Sequence, residues 1–176
     1  RGRGRGTFLV ILTMLLGALN FNTSRLREAE SILREALGSA STTLGDDHPD
    51  ILQVRQMLGA SLLEQGRYAE ADKVLTEALE RWRSRGAPDA PNVIVVLTIR
   101  GEGRLYAGRL QQARDDFREA ATAGEKMFGK VHTFVGIGLR AMARVDAERG
   151  QLALAETGMR NAIAAFGTKV RPTGYN

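Results

Sequence analysis

The chain contains no cysteine, so neither a disulfide nor a thiolate metal site can form. Its 176 residues include only two histidines, His48 and His132. No HExxH-type spacing and no phosphate-binding glycine loop is present, and the serines lack a nearby base. These absences argue against an enzyme; no cofactor and no metal are expected. Proline is scarce, four in all, and half of it (Pro88 and Pro91) falls in one loop. The longest mainly apolar run, residues 8–21, is shorter than the ~20 residues a membrane-spanning helix needs. A membrane role is therefore not expected.

Acidic residues are missing from both ends. Arg1, Arg3, Arg5, Lys169 and Arg171 lie in tails with no carboxylate side chain, and the remaining 20 basic residues are matched by 20 acidic ones. The formal charge of +5 thus belongs to the ends, and no nucleic-acid partner is expected. Residues 1–6 alternate arginine and glycine without an aromatic, a composition that cannot bury a core and reads as a flexible tail or linker.

What is present is a period. GRYAEA begins at Gly66, GRLQQA at Gly108 and GQLALA at Gly150, at intervals of 42, and SRLREA at Ser24 continues the series backwards. Small residues recur at Ala29, Ala71, Ala113 and Ala155, and again at Ala36, Ala78, Ala120 and Ala162. Between them stand Leu33, Leu75, Phe117 and Met159. Small residues let a neighbouring helix approach and the large one fills the gap, so these are expected to be core. Residues 8–23, 50–65, 92–107 and 134–149 occupy equivalent places before each turn. The unit is a first helix, a tight turn, a second helix and a loop. Four such units give an all-α fold of about eight helices, with repeats over 8–49, 50–91, 92–133 and 134–166 between tails at 1–7 and 167–176.

Leu58-Gly59, Gly66-Arg67, Ala71, Leu75 and Ala78, with their copies, make the chain resemble the tetratricopeptide repeat family. The long period and the loop Leu44-Gly45-Asp46-Asp47-His48-Pro49 are similar to its kinesin-light-chain type. HEAT and armadillo repeats of ~40–47 residues fit the period but lack the Gly-Arg turn and this alanine spacing. The resemblance implies a right-handed superhelical α-solenoid and a non-catalytic scaffold for a protein or peptide. It also implies a concave groove lined by first helices. By position, Gln53, Gln56, Ala60, Glu102, Arg140 and Arg144 are the groove candidates. The family's charged clamp for a C-terminal carboxylate is absent, because Met14, Ala18, Gln56 and Ala60 hold its places. Arg140 and Arg144, four apart, are the best remaining anion contacts; pairing with Glu148 or with water is the alternative. Arrays of this type in bacteria are often joined to kinase or regulator domains, so a sensory or dimerisation segment of a larger protein is the second reading.

Residues 8–21 read as the first helix of repeat one, because Leu16-Gly17 keeps the register of Leu58-Gly59. Basic residues before a short apolar run also resemble a secretory signal, so a secreted location stays open beside a cytoplasmic one. A terminal repeat normally carries a polar outer face. Phe8, Ile11, Leu12, Leu15 and Leu19 are therefore expected to be covered, either by a second copy in a homo-oligomer or by upstream sequence. At the other end the last repeat is expected to stop near Phe166, either because a longer array is cut there or with the tail 167–176 packed over that repeat.

Local expectations complete the reading. Residues 25–38 form the second helix of repeat one, ended by Gly38. Asp46, Asp47, His48 and Asp50 are loop and capping residues rather than metal ligands, since His132 repeats His48 at two periods and Ala90 stands between. The run Arg81-Trp82-Arg83-Ser84-Arg85 is a helix end with a tryptophan over the loop rather than a base-stacking patch. Arg100 and Arg104 replace apolar residues of the other copies and are expected to meet Arg114, Asp115, Asp116 or Glu119, or to mark a rotated helix.

Overall fold

The computed structural model describes residues 25–86 and 91–167. They form seven helices: α1 (Leu26–Leu44), α2 (Pro49–Glu64), α3 (Tyr68–Ser84), α4 (Pro91–Tyr106), α5 (Leu110–Phe128), α6 (Thr133–Glu148) and α7 (Leu152–Ala165). No strand occurs among the described residues. The chain divides after residue 88 into two compact units, one holding α1–α3 and the other α4–α7. Within each unit, every helix packs against its neighbour in sequence. The expected helix over residues 8–23, with Phe8, Ile11, Leu12, Leu15 and Leu19, lies outside the described residues, as does Ala90.

The hairpin turns explain the recurring glycine. Gly66, Gly108 and Gly150 have φ of +73°, +74° and +74°, where a side chain would be strained. The next N–H reaches back into the helix just ended: Arg67 to the Leu62 carbonyl at 2.9 Å, Arg109 to Arg104 at 2.8 Å and Gln151 to Asp146 at 2.9 Å. The turn closes the first helix through its own backbone and leads straight into the second.

The small-large-small pattern sets the packing. Ala29, Leu33 and Ala36, Ala71, Leu75 and Ala78, and Ala113, Phe117 and Ala120 are all buried. In the two hairpins α2–α3 and α4–α5, glycine on the first helix makes room for the large residue. A Cβ on Gly59 would lie 2.5 Å from Leu75, and one on Gly101 would lie 2.7 Å from Phe117. In the last hairpin the glycine changes sides. Ala143 takes the first-helix place, and Gly158 on α7 yields to it, its own Cβ position being 3.0 Å from the Ala143 methyl.

Within each unit, a first helix also covers the second helix of the repeat before it, in one register. In the first unit the Ser61 hydroxyl of α2 donates to the Leu26 carbonyl of α1 at 3.1 Å. In the second unit Val145, two periods after Ser61, clusters with Leu105, Ala113 and Phe117, with Leu110, Ala141 and Met142 against them. Each buried large apolar side chain contributes roughly 1.5–3 kcal/mol.

Several expectations change. Gly38 does not end α1, which runs on to Leu44; Gly45, at φ +84°, ends it instead, because that is where the backbone turns left-handed. The first helices begin one residue early, at Pro49, Pro91 and Thr133. Pro49 sits in the first turn, where its missing N–H costs nothing. His48 and His132 precede two of these helices, and their Nδ1 atoms accept from the Asp50 and Phe134 N–H groups at 3.3 Å and 3.2 Å. Asp46 and Asp47 bind arginines instead of capping: Arg55 and Arg81 reach them at 2.8 Å. The Arg85 guanidinium donates to the Asp47 carbonyl at 2.7 Å, and Trp82 is buried, so the basic run packs on the loop. Met159 is not core: it is 41% exposed, whereas Leu33, Leu75 and Phe117 are at most 1% exposed.

Candidate functional site

The second unit carries a cavity of about 560 Å³ whose walls come from all four of its helices. Glu102 of α4 and Arg140 and Arg144 of α6 line it, so three of the six groove candidates meet in one place. Leu105, Phe117, Ile137 and Met159 supply an apolar lining. The other three candidates, Gln53, Gln56 and Ala60, lie on α2 in the first unit and are half-buried. The side-chain oxygen of Gln56 is buried without a hydrogen-bond partner.

Register explains the meeting. Arg140 and Arg144 are four residues apart on α6, which puts their Cβ atoms about 5–6 Å apart on one face. Both are exposed, and among the described residues neither forms an ion pair; the alternative pairing with Glu148 is not made. Arg144 lies over the Tyr106 ring, 5.1 Å from its centroid. Such a contact at an exposed site is worth about 0.5–1 kcal/mol and holds the guanidinium near the end of α4. Two like charges held side by side repel each other slightly, and an anion between them would relieve this.

Other arginines of this unit are committed. Arg100 donates to Asp116 from Nε at 3.1 Å and from Nη2 at 2.7 Å. Arg104 Nη1 lies 3.0 Å from both oxygens of the same carboxylate. Asp116 comes from α5, as the sequence suggested, so α4 is not rotated. Arg114 turns instead to Asp146 of α6, at 2.6 Å. Its hydrogen bond to Asp146 raises the Arg114 pKa above the usual arginine value, against the opposing effect of burial.

The sequence reading missed Tyr106 beneath Arg144 and the apolar lining. Tyr106 stands four residues after Glu102, at the end of α4, and that spacing was its only signal. Met159 was assigned to the core because Leu33, Leu75 and Phe117 share its place in the period.

Helix-turn-helix pairs repeated at 42 residues, with first helices covering the second helix before them, define an all-α helical-repeat protein. The family model for the tetratricopeptide repeat matches residues 9–84 and 55–126. The chain therefore belongs to the tetratricopeptide repeat family. Among solved structures it is similar to a Podosopora anserina putative kinesin light chain with nearly identical TPR-like repeats. The TM-score is 0.81 at 16% identity, over 93% of this chain and 77% of that one. A singly substituted form of that protein gives a TM-score of 0.78 at 16% identity, over 97% and 79%. BtubC (BKLC) from P. vanneervenii gives 0.77 at 16% identity, over 95% and 73%. At these identities the likeness is one of fold. No curated protein sequence matches the chain.

The tetratricopeptide repeat fold is consistent with a scaffold for protein–protein interaction. Among the described residues no group of three histidine or acidic side chains could hold a metal ion. No described helix is long and apolar enough to cross a membrane.

Proposed function

We propose that the chain is a non-catalytic scaffold whose second unit binds an extended, carboxylate-bearing segment of a partner protein. The observation that carries this reading is the meeting of Arg140 and Arg144, exposed and without ion pairs among the described residues, on a cavity lined with Leu105, Ile137 and Met159. The two guanidiniums would hold carboxylate oxygens, and the apolar lining would take an adjoining aliphatic side chain. Glu102 on the same cavity would favour a cation nearby, giving the ligand a direction.

Binding measured by fluorescence anisotropy against an array of acidic and neutral peptides tests this. Acidic peptides should bind, weaken as salt rises, and lose affinity about tenfold or more with Arg140→Glu and Arg144→Glu together. Equal binding by the charge-reversed variant would overturn the reading. The second reading, a self-associating segment of a larger regulator, is favoured by one separate observation, the exposed face of α7.

A further inference from the structure

In the first unit, ion pairs tie the loop between α1 and α2 to the two helices that follow. Asp46 and Asp47 of the loop bring carboxylates, and Arg55 of α2 and Arg81 of α3 bring guanidiniums. Arg55 lies 2.8 Å from Asp46 and 3.2 Å from Glu77, and Arg81 lies 2.8 Å from Asp47. Two periods later, the places of Asp46, Asp47, Arg55, Glu77 and Arg81 are held by Lys130, Val131, Leu139, Asn161 and Ala165. Both arginines are gone. In their stead the second unit has a cavity of about 410 Å³ lined by all five of these residues, with Glu125, Val135 and Ala164. It lies between a loop, a first helix and a second helix, the same three elements that carry the ion pairs in the first unit. Shorter side chains therefore make the room. The cavity shares no lining residue with the one that holds Arg140 and Arg144.

The charge on the loop is inverted as well. Lys130 stands where Asp46 stood, yet α6 and α7 bring no charged side chain to the cavity. The ion-pair partner of Lys130 is Glu125 of α5, at 3.8 Å, beyond hydrogen-bond distance, and the lysine side chain is 86% exposed. Such a pair contributes little and is readily exchanged for a better one. Asn161 is exposed, and its carboxamide makes no hydrogen bond among the described residues. An ammonium and a carboxamide thus offer donors at the mouth. Behind them Val135 and Ala165 are buried and Leu139 is half-buried, which gives an apolar wall.

We propose that this cavity binds a small apolar carboxylate, an aryl or branched aliphatic acid. Its carboxylate sits on Lys130 and Asn161, and its body lies against Val135 and Leu139. The ligand supplies from outside the bulk and the counter-charge that arginine side chains supply in the first unit, with the sign reversed. The site is separate from peptide capture and does not depend on it.

The test is a titration of the full chain with phenylacetate, followed by amide NMR. Phenylacetamide and phenethylamine serve as the neutral and cationic counterparts. Phenylacetate should move the Asn161 side-chain amide and the Val131 and Leu139 backbone amides, with a dissociation constant of about 1 mM or tighter. Each counterpart should bind about threefold more weakly or worse. Lys130→Met, at an exposed position, should weaken phenylacetate about threefold or more and leave phenylacetamide unchanged. Leu139→Arg with Asn161→Glu copies the first unit and should abolish binding, with the fold checked by circular dichroism. The Lys130→Met result needs nothing from that double variant. Arg140→Glu with Arg144→Glu should leave the named shifts as they are, which separates this site from the peptide site. Equal binding of phenylacetamide and phenylacetate would overturn the proposal, and so would undiminished binding by Lys130→Met. It also fails if about 10 mM phenylacetate moves none of the named amides.

Discussion

Gly59 and Leu75 share one volume: a Cβ on the glycine would lie 2.5 Å from two carbons of the leucine side chain. Gly101 and Phe117 repeat the arrangement 42 residues later at 2.7 Å, with an aromatic ring that cannot bend aside. The two helices of each of these hairpins approach as closely as they do because one of them has no side chain there. Gly101→Ala should therefore destabilise the second unit by about 1–3 kcal/mol despite the better helix propensity of alanine. Urea denaturation measures this, and a neutral or stabilising effect would show that the ring has room to move.

Asp116 is nearly buried between two arginines of α4. Removing it alone leaves both charges without that partner, so Asp116→Ala should cost about 3–5 kcal/mol. The chain contains its own apolar solution, because Leu58, Leu62 and Val74 stand one period before Arg100, Arg104 and Asp116. The triple variant Arg100→Leu, Arg104→Leu and Asp116→Val should match or exceed the original stability. If it proves as weak as the single variant, the ion cluster is needed for the packing itself.

Glu30 joins the turn after α2 to α1. Burial works to raise its pKa, but hydrogen bonds from Gln65, Arg67 and Arg34 outweigh burial and hold the carboxyl below the usual glutamate value. Arg67 reaches it at 2.6 Å and Gln65 at 3.0 Å. A lowered folded pKa means the unfolded chain binds the proton more readily. The stabilisation is therefore fully present above the ordinary glutamate value and is lost as pH falls through the lowered one. Glu30→Gln should reduce stability at neutral pH and flatten its acid dependence, read by thermal unfolding over an acid pH series. An unchanged acid slope would show that other carboxylates carry it.

His132 caps α6 and stacks on Phe128, with ring centroids 4.2 Å apart and planes at 16°. His132→Ala should cost about 1 kcal/mol for the cap and a further ~0.5–1.5 kcal/mol for the stack. His132→Asn keeps an acceptor for the Phe134 N–H and should fall between the alanine variant and the unchanged chain in thermal unfolding. Equal losses for both variants would assign the whole effect to the ring.

The repeat itself was legible in the residue order. A glycine turn every 42 positions and a small-large-small pattern are local signals, and each states which face of a helix is to be buried. From them alone follow the hairpins, their boundaries to within a residue for the first helices, and the histidine caps that recur because the loop recurs. The length of α1 was misread, since Gly38 and Gly45 are the same letter and only the backbone conformation at Gly45 stops the helix. Three further matters were decided by the tertiary structure. Arg100 and Arg104 converge on Asp116 rather than on its acidic neighbours, because α4 and α5 turn that carboxylate inward. Glu102, Arg140 and Arg144 come together on one cavity, with Tyr106 under Arg144. Met159 is exposed where Leu33, Leu75 and Phe117 are buried. The reason is common to all three: a sequence specifies which surface a helix offers, but burial and pairing belong to two surfaces at once and depend on which neighbour meets them.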